Sequence, residues 1–248
     1  GDAPLTLETV YKVAYGAKTL MGDKARLRVD KARAHVEEKV AGDVPVYGVT
    51  TGFGALAEIK IAPDQLKALQ RNLILSHSAG VGRPLSRPET RAMMLLRAQT
   101  LSEGHSGIRA KVIGLVLTML NRGVHPCIPE KGSVGASGDL APLAHLALGM
   151  LGEGQIELDG EIMPAMDALR RASLQPLVLE AKEGLSLVNG TQAMAAVGTM
   201  ALLSAEQMCK VADIAGSMTL EGLKGIPSAF DQRVQDVRPH PGQSTSAK

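Results

Sequence analysis

A chain of 248 residues that is 45% hydrophobic can bury a sizeable core in one large domain or two small ones, which excludes a disordered or fibrous polypeptide. Lys and Arg number 27 against 25 Asp and Glu; a net charge of +2 with only 2% aromatic residues argues against a nucleic-acid partner and favours small molecules or protein surfaces. Cys127 and Cys209 lack metal-ligand spacing and are too few for a disulfide scaffold, and no apolar run reaches the roughly 18 residues of a membrane span.

Both cysteines read as buried thiols in a reducing cytoplasm, and no secretion signal is expected. With no Trp, two Phe and 11 Met, the core is expected to be aliphatic and Met-rich. The charge run Arg26 to Lys39 reads as a solvated helix face. "VPVYGVTTGFG", β-branched and punctuated by glycine, predicts a strand-like turn around Tyr47. In "PDQLKALQRNLILSHSAGVG", Leu66, Leu69, Leu73 and His77 share one helical stripe, with Pro63 and Asp64 as the start signal and Gly80 as the stop. Pro88 to Leu101 and Lys111 to Leu120 predict a helical hairpin with a "GHSGIR" elbow, its helices stopped by Gly104 and Gly123. Asp159-Gly160 predicts a tight hairpin near Gln155 to Met163. A long helix is expected from Thr191 to about Gly222, then a disordered polar tail, "RPHPGQSTSAK".

"KGSVGASGDLAPLAHLAL", Lys131 to Leu148, is the stretch richest in possible chemistry. Gly132, Gly135 and Gly138 lack the spacing of a phosphate loop, and Asp139 behind them would repel phosphate. A nucleophile elbow fails too, because the residue two after Ser137 is Asp139 rather than Gly. Two readings stay open. One is a loop entering a helix capped by Asp139, with Pro142 tolerated in its first turn. The other is backbone chemistry: the uncrowded Gly138 nitrogen closes onto the Ala136 carbonyl, and Ser137 loses water to leave an electrophilic methylidene. A helix start beside it would enhance that electrophile through its positive dipole end.

The same stretch closely resembles the signature of the aromatic amino-acid ammonia-lyase family, whose members turn Ala-Ser-Gly into a methylidene-imidazolone. "YGVTTGFG", "LQRNLILSHSAGVG", "SGIR" and "EGLSLVNGTQA" resemble further family segments in family order, and together they span nearly the whole chain. The resemblance implies a mainly α fold: a prosthetic-group domain over residues 1–190 with short β-hairpins, and the start of a long-helix bundle over 191–248. It implies non-oxidative loss of ammonia from an aromatic amino acid, with Ala136, Ser137 and Gly138 as the source of the electrophile and Tyr47 as the base. A phenol with a pKa near 10 must be lowered for that task. Ser76-His77 looks like the pair of the histidine-specific members, which implies L-histidine as substrate and urocanate as product. His77 would then orient the imidazole, and Asn189, which by position could also cap the long helix, would hold the amino-acid end. Neither a soluble cofactor nor a metal is implied, and the implied setting is a cytoplasmic homotetramer without membrane or nucleic acid.

Family members are about twice as long, and a Tyr, an Arg and a Glu of the site are expected in the second half. This chain alone is therefore expected to have little or no activity. The rival expectations are a catalytically incomplete fragment or split-enzyme subunit, and a tyrosine or phenylalanine lyase or aminomutase. The remaining histidines, His35, His105, His125, His145 and His240, show no metal spacing and are read as structural.

Overall fold

Local sequence signals set the helix ends in the computed structural model, which describes all residues except 1, 3, 43, 53–58, 60, 63, 64 and 139. In chain order the elements of the first 200 residues are α1 (Leu7–Ala14), α2 (Asp23–Ala41), α3 (Leu66–His77), β1 (Val81–Pro84), α4 (Arg87–Ser102) and α5 (Ala110–Asn121). They continue with β2 (His125–Pro126), β3 (Pro129–Lys131), α6 (Ala141–Met150), β4 (Gln155–Leu158), β5 (Glu161–Pro164), α7 (Ala165–Arg171), α8 (Glu183–Val188) and the start of α9 (Gln192–Gly222). The fold is mainly α with short strands, as expected.

Ser86 and Glu89 form a reciprocal capping box at the start of α4, and Pro88 occupies its first turn. Gly104 and Gly123 follow α4 and α5 with φ of +79° and +71°, the left-handed conformation that ends a helix. α6 packs against α3, α8 and β2 and buries Leu143, Ala144, Leu146, Ala147 and Met150. Ile74, Met93, Met94, Leu101, Ile113, Met119 and Leu120 are fully buried in the same core, which is aliphatic and Met-rich. β1 pairs antiparallel with β3, and β2, β4 and β5 form a second antiparallel sheet. The β4–β5 hairpin turns at Asp159 and Gly160, with φ of 53° and 86°.

Residues 1–200 and 201–248 form separate compact units. The second contains the rest of α9, a 3-10 turn at Pro227–Phe230, α10 (Gln232–Asp236) and α11 (Pro241–Ser246). Among the described residues no helix is long and apolar enough to cross a membrane.

Several expectations need correcting. The strand-like character around Tyr47 is limited to a bridge at Thr51; the segment itself is the expected turn, in which Thr50 Oγ1 accepts the Val46 N–H at 2.9 Å and Thr51 Oγ1 accepts the Gly48 N–H at 3.3 Å. Phe53 and Gly54 lie outside the described residues, as do Pro63 and Asp64. The charge run on α2 is not wholly solvated, since Arg33 is buried and donates to the Ala181 and Gly107 carbonyls. Cys209 is exposed and Cys127 only half-buried. The tail folds, because Pro241 suits a first helical turn and Gln243 Nε2 bonds Gln235 Oε1 at 2.9 Å. Asn189 ends α8 and does not start α9.

Candidate active site

Ala136, Ser137 and Gly138 lie in an exposed turn between β3 and α6. Gly135 has φ +73°, and its N–H bonds Ser133 Oγ at 3.3 Å. A methyl group on Gly138 would meet nothing within 4 Å, so the space beside its Cα is open and the loop leaves room for a ring built on Ala136, Ser137 and Gly138. On that observation these residues fit a methylidene-imidazolone. α6 begins at Ala141 after Leu140, which gives no side-chain cap; Pro142 sits in the first turn, and Asp139 lies outside the described residues.

His77 is the last residue of α3, as the stripe predicted. Its Nδ1 lies 2.9 Å from the Leu73 carbonyl and 3.0 Å from Ser76 Oγ. A carbonyl only accepts, so the network assigns the proton to Nδ1 and leaves Nε2 with its lone pair. The chain then turns immediately: the Ala79 N–H bonds the His77 carbonyl at 2.8 Å, and β1 pairs Val81 with Lys131. A Cβ on Gly132 would stand 3.2 Å from Gly80 Cα, closer than ordinary packing, so the two glycines let the His77 turn and the Ser137 loop approach closely along their backbones.

Asn189 is exposed at the end of α8, and its carbonyl accepts from Arg97 Nη2 at 3.0 Å. Arg97, at 3% exposure, also donates to the Ser186 carbonyl and to Gln192 Oε1 at 2.9 Å. Burial pushes its guanidinium down to about 10. A side chain on Gly190 would displace the Gln192 amide and the Arg97 guanidinium, so glycine lets these two groups meet beside it. α3, which ends on His77, and α8, which Asn189 follows as its C-cap, are braced by Gln70 Oε1 accepting the Gly184 N–H at 2.9 Å. The "SGIR" elbow is tied to the same segment. Lys182 Nζ and Ser186 Oγ both donate to the Ser106 carbonyl, at 2.7 and 2.8 Å, while Glu183 grips Arg109. Burial first, then Arg33 and Arg97, lower the Lys182 pKa.

The geometry thus joins the His77 turn to the Ser137 loop, and braces the helix ending at His77 against the one ending at Asn189. Tyr47, 58% exposed, is held by its own turn, in which Gly48 has φ +67°. Among the described residues no cluster of three His, Cys, Asp or Glu could hold a metal ion.

Arg97 and Gln70 drew no reading from the sequence, and His145 was read only as structural. Arg97 was legible in principle, because it falls three or four residues from Met94 and Leu101 on the buried register of α4. His145 was not: its Nε2 accepts the Gly80 N–H at 3.0 Å, a contact spanning 65 residues of sequence.

The family described as aromatic amino acid lyase matches residues 5–248. The chain is 57% identical over its whole length to histidine ammonia-lyase of Myxococcus xanthus (strain DK1622), of which it covers 49%. It is 42% identical to the crystal structure of histidine ammonia-lyase from Trypanosoma cruzi, with a TM-score of 0.90 over 98% of this chain and 47% of that one. It is 35% identical to the ergothioneine-degrading enzyme ergothionase from Treponema denticola, with a TM-score of 0.91 over 98% and 49% of the two chains. The chain spans about half the length of the curated relatives it matches.

Proposed function

The chain belongs to the aromatic amino acid lyase family, and from that premise we propose that it supplies the electrophile-forming loop and the substrate-reading histidine of a carbon–nitrogen lyase. The proposed reaction is elimination of ammonia from L-histidine to give urocanate. The observation that carries it is the backbone contact of Gly80 with Gly132, which sets His77 and the Ala136-Ser137-Gly138 loop on adjoining turns.

Ala136, Ser137 and Gly138 would hold the methylidene-imidazolone, which supplies an electrophile able to turn an amine into a leaving group. His77 reads the substrate: Nδ1–H is spent on the Leu73 carbonyl, so Nε2 accepts an N–H from the substrate's imidazole, a bond no phenyl ring can give. The Asn189 side-chain amide holds the amino-acid end from a backbone locked by Arg97. Tyr47 removes the proton β to the amine. Residues 1–190 form the electrophile-bearing part and 191–248 the start of a helical bundle, in a cytoplasmic homotetramer that needs neither a soluble cofactor nor a metal. The relatives' greater length supports the view that the 248-residue chain alone is inactive.

The test has two parts. Intact mass should show loss of two waters at the tripeptide, and Ser137→Ala should retain both. The chain should release no ammonia from histidine alone, and should do so once continued by the C-terminal half of the Myxococcus relative. A matured chimera that consumed phenylalanine and ignored histidine would overturn the substrate reading.

A further inference from the structure

One helix face touches both turns of the candidate site. Ala141 and His145 lie four residues apart on α6 and so point the same way, one above the other. A Cβ on Gly132 would stand 3.4 Å from Ala141 Cβ and 3.2 Å from Gly80 Cα. One on Gly80 would stand 3.1 Å from His145 Nε2 and 3.2 Å from Pro129 Cβ. Gly80 is thus seated between the strand that leads into the Ser137 loop and the helix that leaves it.

We propose that the Ala141–His145 face of α6 is a clamp, and that His145 is a positioning residue which fixes the His77 turn against the Ala136-Ser137-Gly138 loop by accepting the Gly80 N–H. The proposal rests on His77 as the substrate reader. From His77 to Gly80 there is little slack: the Ser78 N–H returns to the Ile74 carbonyl at 3.1 Å, its Oγ returns to the same carbonyl at 2.8 Å, and the Ala79 N–H closes on His77. Whatever fixes Gly80 therefore fixes His77. Because the Gly80 N–H donates, Nε2 of His145 must present its lone pair and the neutral ring must carry its proton on Nδ1. Burial lowers the His145 pKa, which keeps the ring in that neutral state. An aliphatic side chain of similar size would fill the space and leave the Gly80 N–H without its acceptor.

The tautomer is read on the unaltered chain by nitrogen NMR. Nδ1 should be protonated and Nε2 bare, with a coupling to the Gly80 amide; a neutral ring protonated on Nε2 would overturn the clamp. In His145→Leu, hydrogen exchange at Gly80 should rise about tenfold, the size expected for one lost hydrogen bond, and His145→Gln should restore part of the protection. Unchanged exchange at Gly80 in folded His145→Leu would also overturn it, and if that variant does not fold, the tautomer decides. In the chimera, His145→Leu should narrow the preference for histidine over phenylalanine by about tenfold, which loss of packing alone would not do. If the chain never loses its two waters, the functional reading fails while the exchange and tautomer results still judge the clamp.

Discussion

Arg109 and Glu183, 74 residues apart in sequence, form a two-pronged ion pair: Arg109 Nε and Nη2 lie 2.7 and 2.6 Å from the two oxygens of a carboxylate with no exposed surface. The same carboxylate accepts the backbone N–H groups of Arg109 at 3.1 Å and Glu180 at 2.8 Å. The pair raises the Arg109 pKa, chiefly through the bond to Glu183. It fastens the elbow between α4 and α5 to the segment that ends on Asn189.

Removing one partner of such a pair leaves an uncompensated group, so Arg109→Met should destabilise the first unit by about 3 kcal/mol. Denaturant unfolding measures this. A double variant, Arg109→Met with Glu183→Leu, should recover part of the loss, because it leaves no lone buried charge.

Arg97→Lys should also destabilise, by about 2 kcal/mol, despite keeping the charge. An ammonium cannot reproduce the fork that serves Ser186, Asn189 and Gln192 together. Amide exchange should rise first between Ser186 and Gln192. Protection unchanged there would show that the turn holds itself.

Gly138→Ala separates folding from maturation. The new methyl group meets nothing within 4 Å, so the unfolding free energy should stay within about 0.5 kcal/mol of the parent. The alanine crowds the nitrogen that must close the ring, so the loss of two waters should slow at least about tenfold, one order in rate for each 1.4 kcal/mol added to the barrier. Mass spectrometry over time distinguishes the two effects.

Stability should fall in mild acid. Burial, then Arg91, hold the His125 imidazole at about 4, with Glu157 opposing and Arg87 adding to the depression. His125 Nε2 faces Arg91 Nη1 at 3.0 Å, so a proton there would set donor against donor. An unfolded chain takes up this proton near pH ~6.5 and the folded one only near 4, so the unfolded state binds more protons between them. The contribution is complete above about 6.5 and is lost as pH falls toward 4. Urea midpoints across that window should drop for the parent and drop less for His125→Gln.

Much of this was legible beforehand. The stripe ending on His77, the α4–α5 hairpin, the Asp159-Gly160 turn and the Gly-rich loop before α6 all carry local signals of period, cap or turn. β1 and β3 carry none, because "VGRP" and "PEK" are largely exposed and exist only through pairing with each other. Around Tyr47 the glycines signalled the turn that forms, while the threonine hydroxyls that bond its backbone were not foreseen. Of the site itself, residue types at Tyr47, His77, Ser137 and Asn189 were readable in the sequence. The groups that brace the ends of α3 and α8, Arg97, Gln70 and Glu183, and the His145 ring that accepts the Gly80 N–H, act across the fold and leave only faint traces in sequence.

The seam between Gly80 and Gly132 is made by main-chain atoms, while the choice of substrate is assigned to the His77 ring. A scaffold of this kind decouples the part that selects from the part that aligns. Exchanging the residues at positions 76 and 77 would alter the reader without reshaping its mount, a modular route by which one architecture can be turned to another aromatic amino acid.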